Sequence, residues 1–153
     1  MIGARILLAA MALAALGNAA LAGDVAPADV KFVEMAVAEP LTATPGDPEE
    51  GAKVFKDRGL GNCLACHANR GMEKELFHGT VGPAVDGAGS RWEPAQLRAI
   101  VANSKAVFGS ETVMPGFYSL EVGQKVDEEH AGKTILTAQQ VEDVVAYLAT
   151  LKQ

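Results

Sequence analysis

Cys63, Cys66 and His67 form a Cys-x-x-Cys-His motif in a chain that has no other cysteine. This spacing is the signature of covalent haem attachment. Two thiols three positions apart lie on one face of a helical turn, so both can reach the two vinyl groups on one edge of a haem. The histidine that follows is then presented to the iron. We therefore predict one haem c, with thioethers from Cys63 and Cys66 and with His67 as one axial iron ligand.

A Cys-x-x-Cys pair has other uses in exported proteins. It can form a structural disulfide, or it can be a thioredoxin-like redox pair. Thiol pairs of the thioredoxin type are expected before a helix in a βαβ pattern. No strand-like alternation of any length occurs in this sequence, and the motif therefore favours haem over the thiol alternatives.

The second axial position must be filled by another side chain, unless it is open. The candidates are Met72, Met114 and His78, together with Met35 before the first predicted helix and His130 within an acidic run. Met72 is too close to His67 in sequence to reach the opposite haem face without a strained loop. Met114 is followed by Pro115-Gly116, a rigid turn that can hold a thioether against one face. We predict Met114 as the ligand, with His78 as its main competitor and a core methionine as its alternative role.

A histidine bound to a metal usually donates its second ring proton to a carbonyl or carboxylate, which fixes its tautomer. Gly82-Pro83 supplies a suitable carbonyl in a turn that follows the haem motif at a plausible distance. Proline has no N–H and stiffens that turn. We predict that Pro83 accepts this hydrogen bond from His67, the alternative being a plain loop proline.

The first 22 residues have the pattern of a cleavable export signal. Arg5 precedes an apolar stretch at 6–16, and the small-x-small triplet Ala20-Leu21-Ala22 ends the segment. The apolar stretch is shorter than the roughly 20 residues of a spanning helix and Asn18 interrupts it, which disfavours a membrane anchor. We predict a signal peptide at 1–22, a periplasmic location, and no membrane span after cleavage.

The length and charge of the chain limit what else it does. A chain of 153 residues suits one domain. Its 13 basic and 19 acidic side chains give a formal net charge of −6, and it lacks the clustered basic residues that bind nucleic acid. We predict an N-terminal extension at 23–46, which lies on the domain or on a partner, with a disordered leader as the alternative. The folded domain is predicted at 47–153.

Helix-capping patterns mark both ends of that domain. Asp47-Pro48 places an N-cap before a first helix that runs to about Arg58. Thr137 and Gln140 form a capping box for the last helix. The apolar face of the last helix consists of Val141, Val144, Val145, Leu148 and Leu151 at helical spacing.

One more helix is predicted between these two. It begins at Glu93-Pro94, ends near Asn103, and has an apolar face of Leu97, Ile100 and Val101. The remaining sequence is predicted to be loop, and no internal repeat is present. The sequence therefore predicts an all-α domain of three or more helices.

The order of these parts resembles class I cytochrome c, with helices wrapped around one covalently bound haem. In that family the first and last helices cross at a small residue and an aromatic, which Gly51, Phe55 and Tyr147 match. Longer stretches of sequence resemble the SoxX family, the monohaem subunits of the SoxAX sulfur-oxidation cytochromes. These stretches lie at 60–67, 77–83, 89–92, 114–118 and 135–145.

The SoxX resemblance implies a heterodimer with a SoxA-like haem subunit. Such a complex acts as an L-cysteine S-thiosulfotransferase, joining thiosulfate oxidatively to a cysteine of a SoxYZ-like carrier protein. This chain would accept the released electrons and pass them to a soluble cytochrome c, without being catalytic alone. Its surface around Phe77, His78 and Phe117 would meet the partner. The alternative function is a free-standing, diffusible periplasmic electron-transfer cytochrome.

Overall fold

A computed structural model describes residues 23–123 and 125–153. The predicted signal peptide at 1–22 lies outside the described residues. Four helices are present in the described part: α1 (Pro48–Lys56), α2 (Ala88–Arg91), α3 (Pro94–Phe108) and α4 (Ala138–Thr150). No strand occurs there, and the one β-bridge, between Val33 and Ala36, is isolated. The prediction of an all-α domain is confirmed.

Helix α1 begins where its capping residues predict. The Asp47 carboxylate accepts hydrogen bonds from the backbone N–H groups of Glu49 at 2.8 Å and Glu50 at 3.3 Å. These bonds satisfy amides that have no partner inside the helix. The helix ends at Lys56, two residues before the predicted end at Arg58.

Helix α4 begins with the predicted capping box. The Gln140 backbone N–H donates to Thr137 Oγ1 at 3.2 Å, and the Thr137 N–H donates to Gln140 Oε1 at 2.9 Å. Four of the five predicted apolar positions are buried: Val141, Val144, Val145 and Leu148. The fifth, Leu151, is half-buried just after the helix ends.

Helices α1 and α4 cross with their backbones in close approach. A Cβ atom at Gly51 would lie 1.9 Å from the carbonyl oxygen of Asp143, so only glycine fits at this crossing. Beside it, the rings of Phe55 and Tyr147 pack edge to face with their centroids 5.5 Å apart. The predicted crossing of a small residue and aromatics is confirmed.

Helix α3 is interrupted at its predicted end. Asn103 has non-helical backbone angles (φ −154°, ψ 90°), and a further helical segment, which was not predicted, then continues to Phe108. The Asn103 side chain accepts a hydrogen bond from the backbone N–H of Lys105 at 3.2 Å. A side chain that takes a helical amide in this way interrupts the helical ladder.

Helix α2 and two short 3-10 turns lie where loop was predicted, and a third 3-10 turn lies at the helical turn predicted for the cysteines. The turns are Pro27–Asp29, Cys63–Ala65 and Arg70–Met72. Helix α2 has four residues, too few to show a helical period in the sequence. A contact with a distant part of the chain stabilises it, because the Gly89 N–H donates to the carbonyl of Leu151 at 3.0 Å.

Residues 23–46 lie on the domain, which was one of the predicted alternatives. Val37 and Leu41 are buried in the common core. Below them, Arg98 of α3 and Glu142 of α4 form a buried bidentate ion pair with N–O distances of 2.7 and 3.0 Å. Arg98 also donates to the Val37 carbonyl at 2.9 Å, and Glu142 accepts from the Leu41 N–H at 2.8 Å. The ion pair therefore fastens the N-terminal segment to two helices.

We predict that Glu142→Gln lowers the free energy of unfolding by about 3 to 5 kcal/mol, because it leaves the Arg98 charge buried without a counter-charge. Urea denaturation of the purified protein measures this loss. The matched control is Glu75→Gln, which removes the exposed pair of Glu75 with Lys56 at 2.7 Å. That change should cost less than about 1 kcal/mol. Equal losses in the two variants would contradict the role given to the buried pair.

Candidate functional site

The Cys-x-x-Cys-His segment is folded into a tight turn. Asn62 has left-handed backbone angles (φ 47°, ψ 35°), and Cys63–Ala65 then form a 3-10 turn. The N–H groups of Cys66 and His67 both donate to the carbonyl of Cys63, at 3.1 and 2.9 Å. The turn brings the two thiols and the imidazole to the wall of one cavity.

That cavity has a volume of about 690 Å³. Cofactor and ligand sites in proteins occupy roughly 300 to 1,000 Å³ and are mostly apolar with a few placed polar groups. Here the walls are chiefly the apolar side chains Phe55, Leu60, Val85, Trp92, Leu97, Ile100, Val101, Phe108, Phe117, Leu136, Val144 and Leu148. A flat, apolar macrocycle bound through two thiols fits both the size and the composition of these walls.

His67 has one ring nitrogen committed to a hydrogen bond. Its Nδ1–H donates to the Pro83 carbonyl at 2.6 Å, the partner that the sequence predicts. This bond places the ring proton on Nδ1 and leaves the Nε2 lone pair able to bind a metal. A Cβ at Gly82 would lie 2.3 Å from His67 Cε1, so the loop can approach the ring this closely only with glycine at 82.

Arg91 holds the loop that carries Pro83, a role that the sequence did not reveal. Its guanidinium donates to the carbonyls of Asp86 at 2.6 Å and Ala84 at 3.0 Å. These bonds fix the residues that directly follow Pro83. A side chain bonded to backbone carbonyls leaves no spacing pattern, and the only signal in the sequence was that Arg91 belongs to the SoxX-like stretch at 89–92.

Met114 is the one candidate for the second axial position that lines the cavity together with His67. It is half-buried, in the loop between α3 and α4. The other four candidates lie outside the cavity wall: Met35, Met72, His78 and His130. The structure therefore brings together Cys63, Cys66, His67 and Met114.

His78 is engaged elsewhere. Its Nε2 lies 2.9 Å from the carbonyl of Met72, and its Nδ1 lies 3.5 Å from the backbone nitrogen of Asn69. An Nε2–H that donates to Met72 and an Nδ1 that accepts weakly from Asn69 satisfy both contacts. The imidazole of His78 therefore links its own loop to the backbone at Asn69 and Met72.

The electrostatics around Cys63 match the apolar cavity. Burial raises the pKa of its thiol to about 12, because a thiolate would lose its hydration there. Its environment therefore disfavours isolated charge. This suits an uncharged thioether at Cys63.

The surface predicted for a partner is only partly exposed. Phe77 is 71% exposed, with a left-handed backbone (φ 69°) that is unusual for a bulky residue. The Arg58 guanidinium lies 5.1 Å from its ring centroid. Phe117 is only 7% exposed, so its assignment to the surface is wrong. Its N–H donates to the Val101 carbonyl at 3.2 Å and its side chain lines the cavity.

The described part of the chain has no cluster of acidic, histidine and cysteine side chains for a metal ion and no membrane-spanning helix. No group of three or more His, Cys, Asp and Glu side chains there could hold a metal ion. No helix among residues 23–123 and 125–153 is both long and apolar enough to cross a membrane.

Comparison with known proteins gives one matching sequence family and similar solved structures. The sequence model of the cytochrome c family matches residues 48–152. The chain is 46% identical to a chain in the crystal structure of SoxXA from P. pantotrophus, covering 85% of this chain and 99% of that chain with a TM-score of 0.78. Ferric cytochrome c-550 from Paracoccus versutus is 20% identical over 71% of this chain and 99% of its own, with a TM-score of 0.40. No curated protein sequence matches the chain.

We predict that Gly82→Ala displaces the His67 ring, because the new Cβ would overlap it. The yield of protein with covalently bound haem should fall several-fold, and the remaining haem should show an altered absorption spectrum. Haem that stays on the polypeptide after denaturation in acid and organic solvent measures the yield. The matched control is Gly123→Ala, where the nearest atom to a new Cβ lies 3.9 Å away. An unchanged yield and spectrum in Gly82→Ala would contradict the close approach at His67.

Proposed function

This chain belongs to the cytochrome c family, in its SoxX branch, and on that premise we propose that it is the electron-accepting subunit of a SoxAX-type L-cysteine S-thiosulfotransferase. The observation that carries the proposal is the 46% identity with a chain of SoxXA, which extends over 85% of this chain. The protein carries one covalently bound haem c. When bound, the haem supplies a one-electron redox centre.

We assign the haem contacts to the residues that line the cavity. Cys63 and Cys66 would hold the haem as thioethers, with His67 and Met114 as the axial iron ligands. Support comes from the shared cavity of all four residues and from the proton that Pro83 holds on His67 Nδ1. A thioether opposite a histidine raises the reduction potential of a haem. That ligand pair suits a subunit that draws electrons from a partner.

The sulfur chemistry belongs to other proteins in this proposal. The thiol of a SoxYZ-like carrier loses its proton, an S–S bond forms to thiosulfate, and two electrons are released. With Cys63 and Cys66 both used as thioethers, this chain has no thiol left to hold a sulfur intermediate. It would take the electrons one at a time and pass them to a soluble cytochrome c.

The proposed place of this reaction is the periplasm. The signal-like pattern at 1–22 favours export, and the periplasm is the compartment in which such haems are attached. The proposed partner is a SoxA-like haem subunit, because the matching chain comes from a structure described as SoxXA.

The proposed contact surface for that partner is formed by three exposed apolar side chains within six residues of sequence, Leu76, Phe77 and Val81. Val81 also lines the cavity. Exposed apolar side chains that lie together on a surface are typical of a protein interface. Because electron transfer requires two haems to approach closely, a partner surface next to the cavity mouth suits the function.

We predict that Met114→Ala lowers the haem potential and opens the iron to added ligands. Axial ligands set haem potentials over a range of about 0.8 V, and we expect a fall on the order of 0.1 V. Redox titration and imidazole binding measure the two effects. Met72→Ala is the matched control, since Met72 lies outside the cavity wall, and it should change neither quantity. An unchanged potential in Met114→Ala would remove Met114 as a ligand.

We predict that the chain is inactive alone and forms a one-to-one complex with its SoxA-like partner. Its haem should become reduced when thiosulfate and the carrier protein are supplied together with that partner. Calorimetry or gel filtration measures the complex, and visible absorption follows the reduction. Phe77→Ala should weaken association at least about tenfold, as loss of a buried aromatic anchor does.

The control for Phe77→Ala is Val33→Ala, an equally exposed apolar side chain on the N-terminal segment. It should leave association unchanged. A complex weakened by Val33→Ala alone would move the interface away from Leu76, Phe77 and Val81. No association, together with full turnover when an unrelated cytochrome replaces this chain, would leave the diffusible carrier as the function.

A further inference from the structure

We propose that the interruption of α3 at Asn103 and the buried hydroxyl of Ser104 hold Met114 in position. The segment at 110–118, which carries Met114, is called the axial-ligand loop, and the bonds from α3 to it are called the clamp. The inference rests on the proposed ligation by Met114 and adds to it the residues that hold the ligand in place. Ser104 does not line the cavity. It is therefore a positioning residue that acts through Met114.

The interruption turns two helix carbonyls toward the ligand loop. In an uninterrupted helix the carbonyls of Val101 and Ala102 would accept from amides four residues later. In this structure Val101 accepts from the N–H of Phe117 at 3.2 Å, and Ala102 accepts from the N–H of Tyr118 at 2.9 Å. At the interruption, these two helix carbonyls therefore bind backbone amides of the loop.

Ser104 binds the ligand residue itself. Its side chain is fully buried, with 0% exposure, and its Oγ–H donates to the carbonyl of Met114 at 2.6 Å. The neighbouring Pro115 carbonyl lies 3.4 Å from the same hydroxyl. A serine hydroxyl within a helix ordinarily bonds a carbonyl of its own preceding turn. Here it bonds the loop instead, directly at the candidate ligand residue that lines the cavity.

Lys105 extends the clamp to the other side of Met114. Its ammonium donates to the carbonyl of Ser110 at 3.3 Å and also to that of Thr112. Three consecutive residues of α3 therefore contribute to the clamp. The non-helical backbone at Asn103 interrupts the helical hydrogen bonds, and Ser104 and Lys105 bind the loop through their side chains. The loop is tied before, at and after the ligand.

These bonds matter because the loop has no regular structure of its own. Among the described residues between α3 and α4 there is no helix or strand, and ordering irregular backbone costs conformational entropy. Without ties, such a loop would spend part of its time with the thioether away from the iron. Loss of one buried hydrogen bond of ordinary strength should raise that open fraction roughly tenfold. An added ligand that binds only the open form then binds more tightly in the same proportion.

The test uses Ser104→Ala in the mature protein with its haem attached, and imidazole as the probe. The expected result is a roughly tenfold higher affinity for imidazole, with a weaker charge-transfer band between methionine sulfur and ferric iron and a lower potential. Unchanged imidazole affinity in folded Ser104→Ala would overturn the proposal.

Two controls separate positioning from general stability. Ser90→Ala removes a serine hydroxyl bond at an exposed position away from the loop, since Ser90 Oγ–H donates to a backbone oxygen of Gln153 at 3.1 Å. Leu41→Ala destabilises the domain from the buried N-terminal segment. Both should bind imidazole as the wild type does. If Leu41→Ala raised the affinity as much as Ser104→Ala, the effect would be one of stability and the proposal would fail.

A measurement on the unchanged protein covers the case in which Ser104→Ala does not fold. The amides of Phe117 and Tyr118 should be protected from hydrogen exchange to a similar degree as amides inside α3, because they bond its carbonyls. Exchange as fast as that of an exposed loop would overturn the proposal.

Met114→Ala distinguishes failure of the ligand assignment from failure of the clamp. If it leaves the potential unchanged, the ligand assignment fails; if it alters the potential while Ser104→Ala does not, only the clamp fails.

Discussion

The close backbone approach of α1 and α4 at Gly51 is the constraint on which the rest of the structure depends. It fixes α4, which also packs against α2 and α3. Val144 and Leu148 form part of the cavity wall, while Glu142 receives the Arg98 guanidinium and fastens the N-terminal segment. A side chain at 51 would overlap the α4 backbone. It would therefore disturb the cavity and the N-terminal segment together.

The site uses neutral partners where a charged one would be chemically possible. His67 donates to the carbonyl of Pro83, whereas a carboxylate in that place would make the imidazole a more basic ligand. A less basic imidazole stabilises ferric iron less and so favours a higher potential. The chiefly apolar walls act in the same direction, because they disfavour the extra positive charge of the oxidised iron. Both features suit the proposed role of accepting electrons.

The two sides of the site are held by different kinds of structure. The side of Cys63, Cys66 and His67 is a short turn closed by its own backbone hydrogen bonds. The side of Met114 is an irregular loop that depends on bonds from α3. With the proposed ligation by Met114, the haem would be held covalently on one side, and α3 with the loop that it binds would position the second ligand on the other.

Short-range chemistry was readable from the sequence. The haem motif, the caps at Asp47 and Thr137, and the apolar face of α4 all depend on residues within a few positions of one another. The Pro83 contact and the α1–α4 crossing were predicted because a motif or a family resemblance pointed to them. Helix α2 was missed because four residues show no period, and the burial of Phe117 was missed because an aromatic side chain suits a surface and a core equally well.

Long-range packing decided the rest. The sequence favoured Met114 over His78 and the other candidates, but whether Met114 shares the cavity with His67 depends on the path of the loop after α3, which only the fold shows. The ion pair of Arg98 and Glu142 joins residues 44 positions apart. The bond from Ser104 to Met114 lies just after the interruption at Asn103, where the sequence predicted that the helix ends. Such contacts leave no periodic signal, because each is made by one side chain to a group that the tertiary structure alone brings near. The sequence by itself determined the chemistry at the cysteines, and the tertiary structure decided which residues hold that chemistry in place.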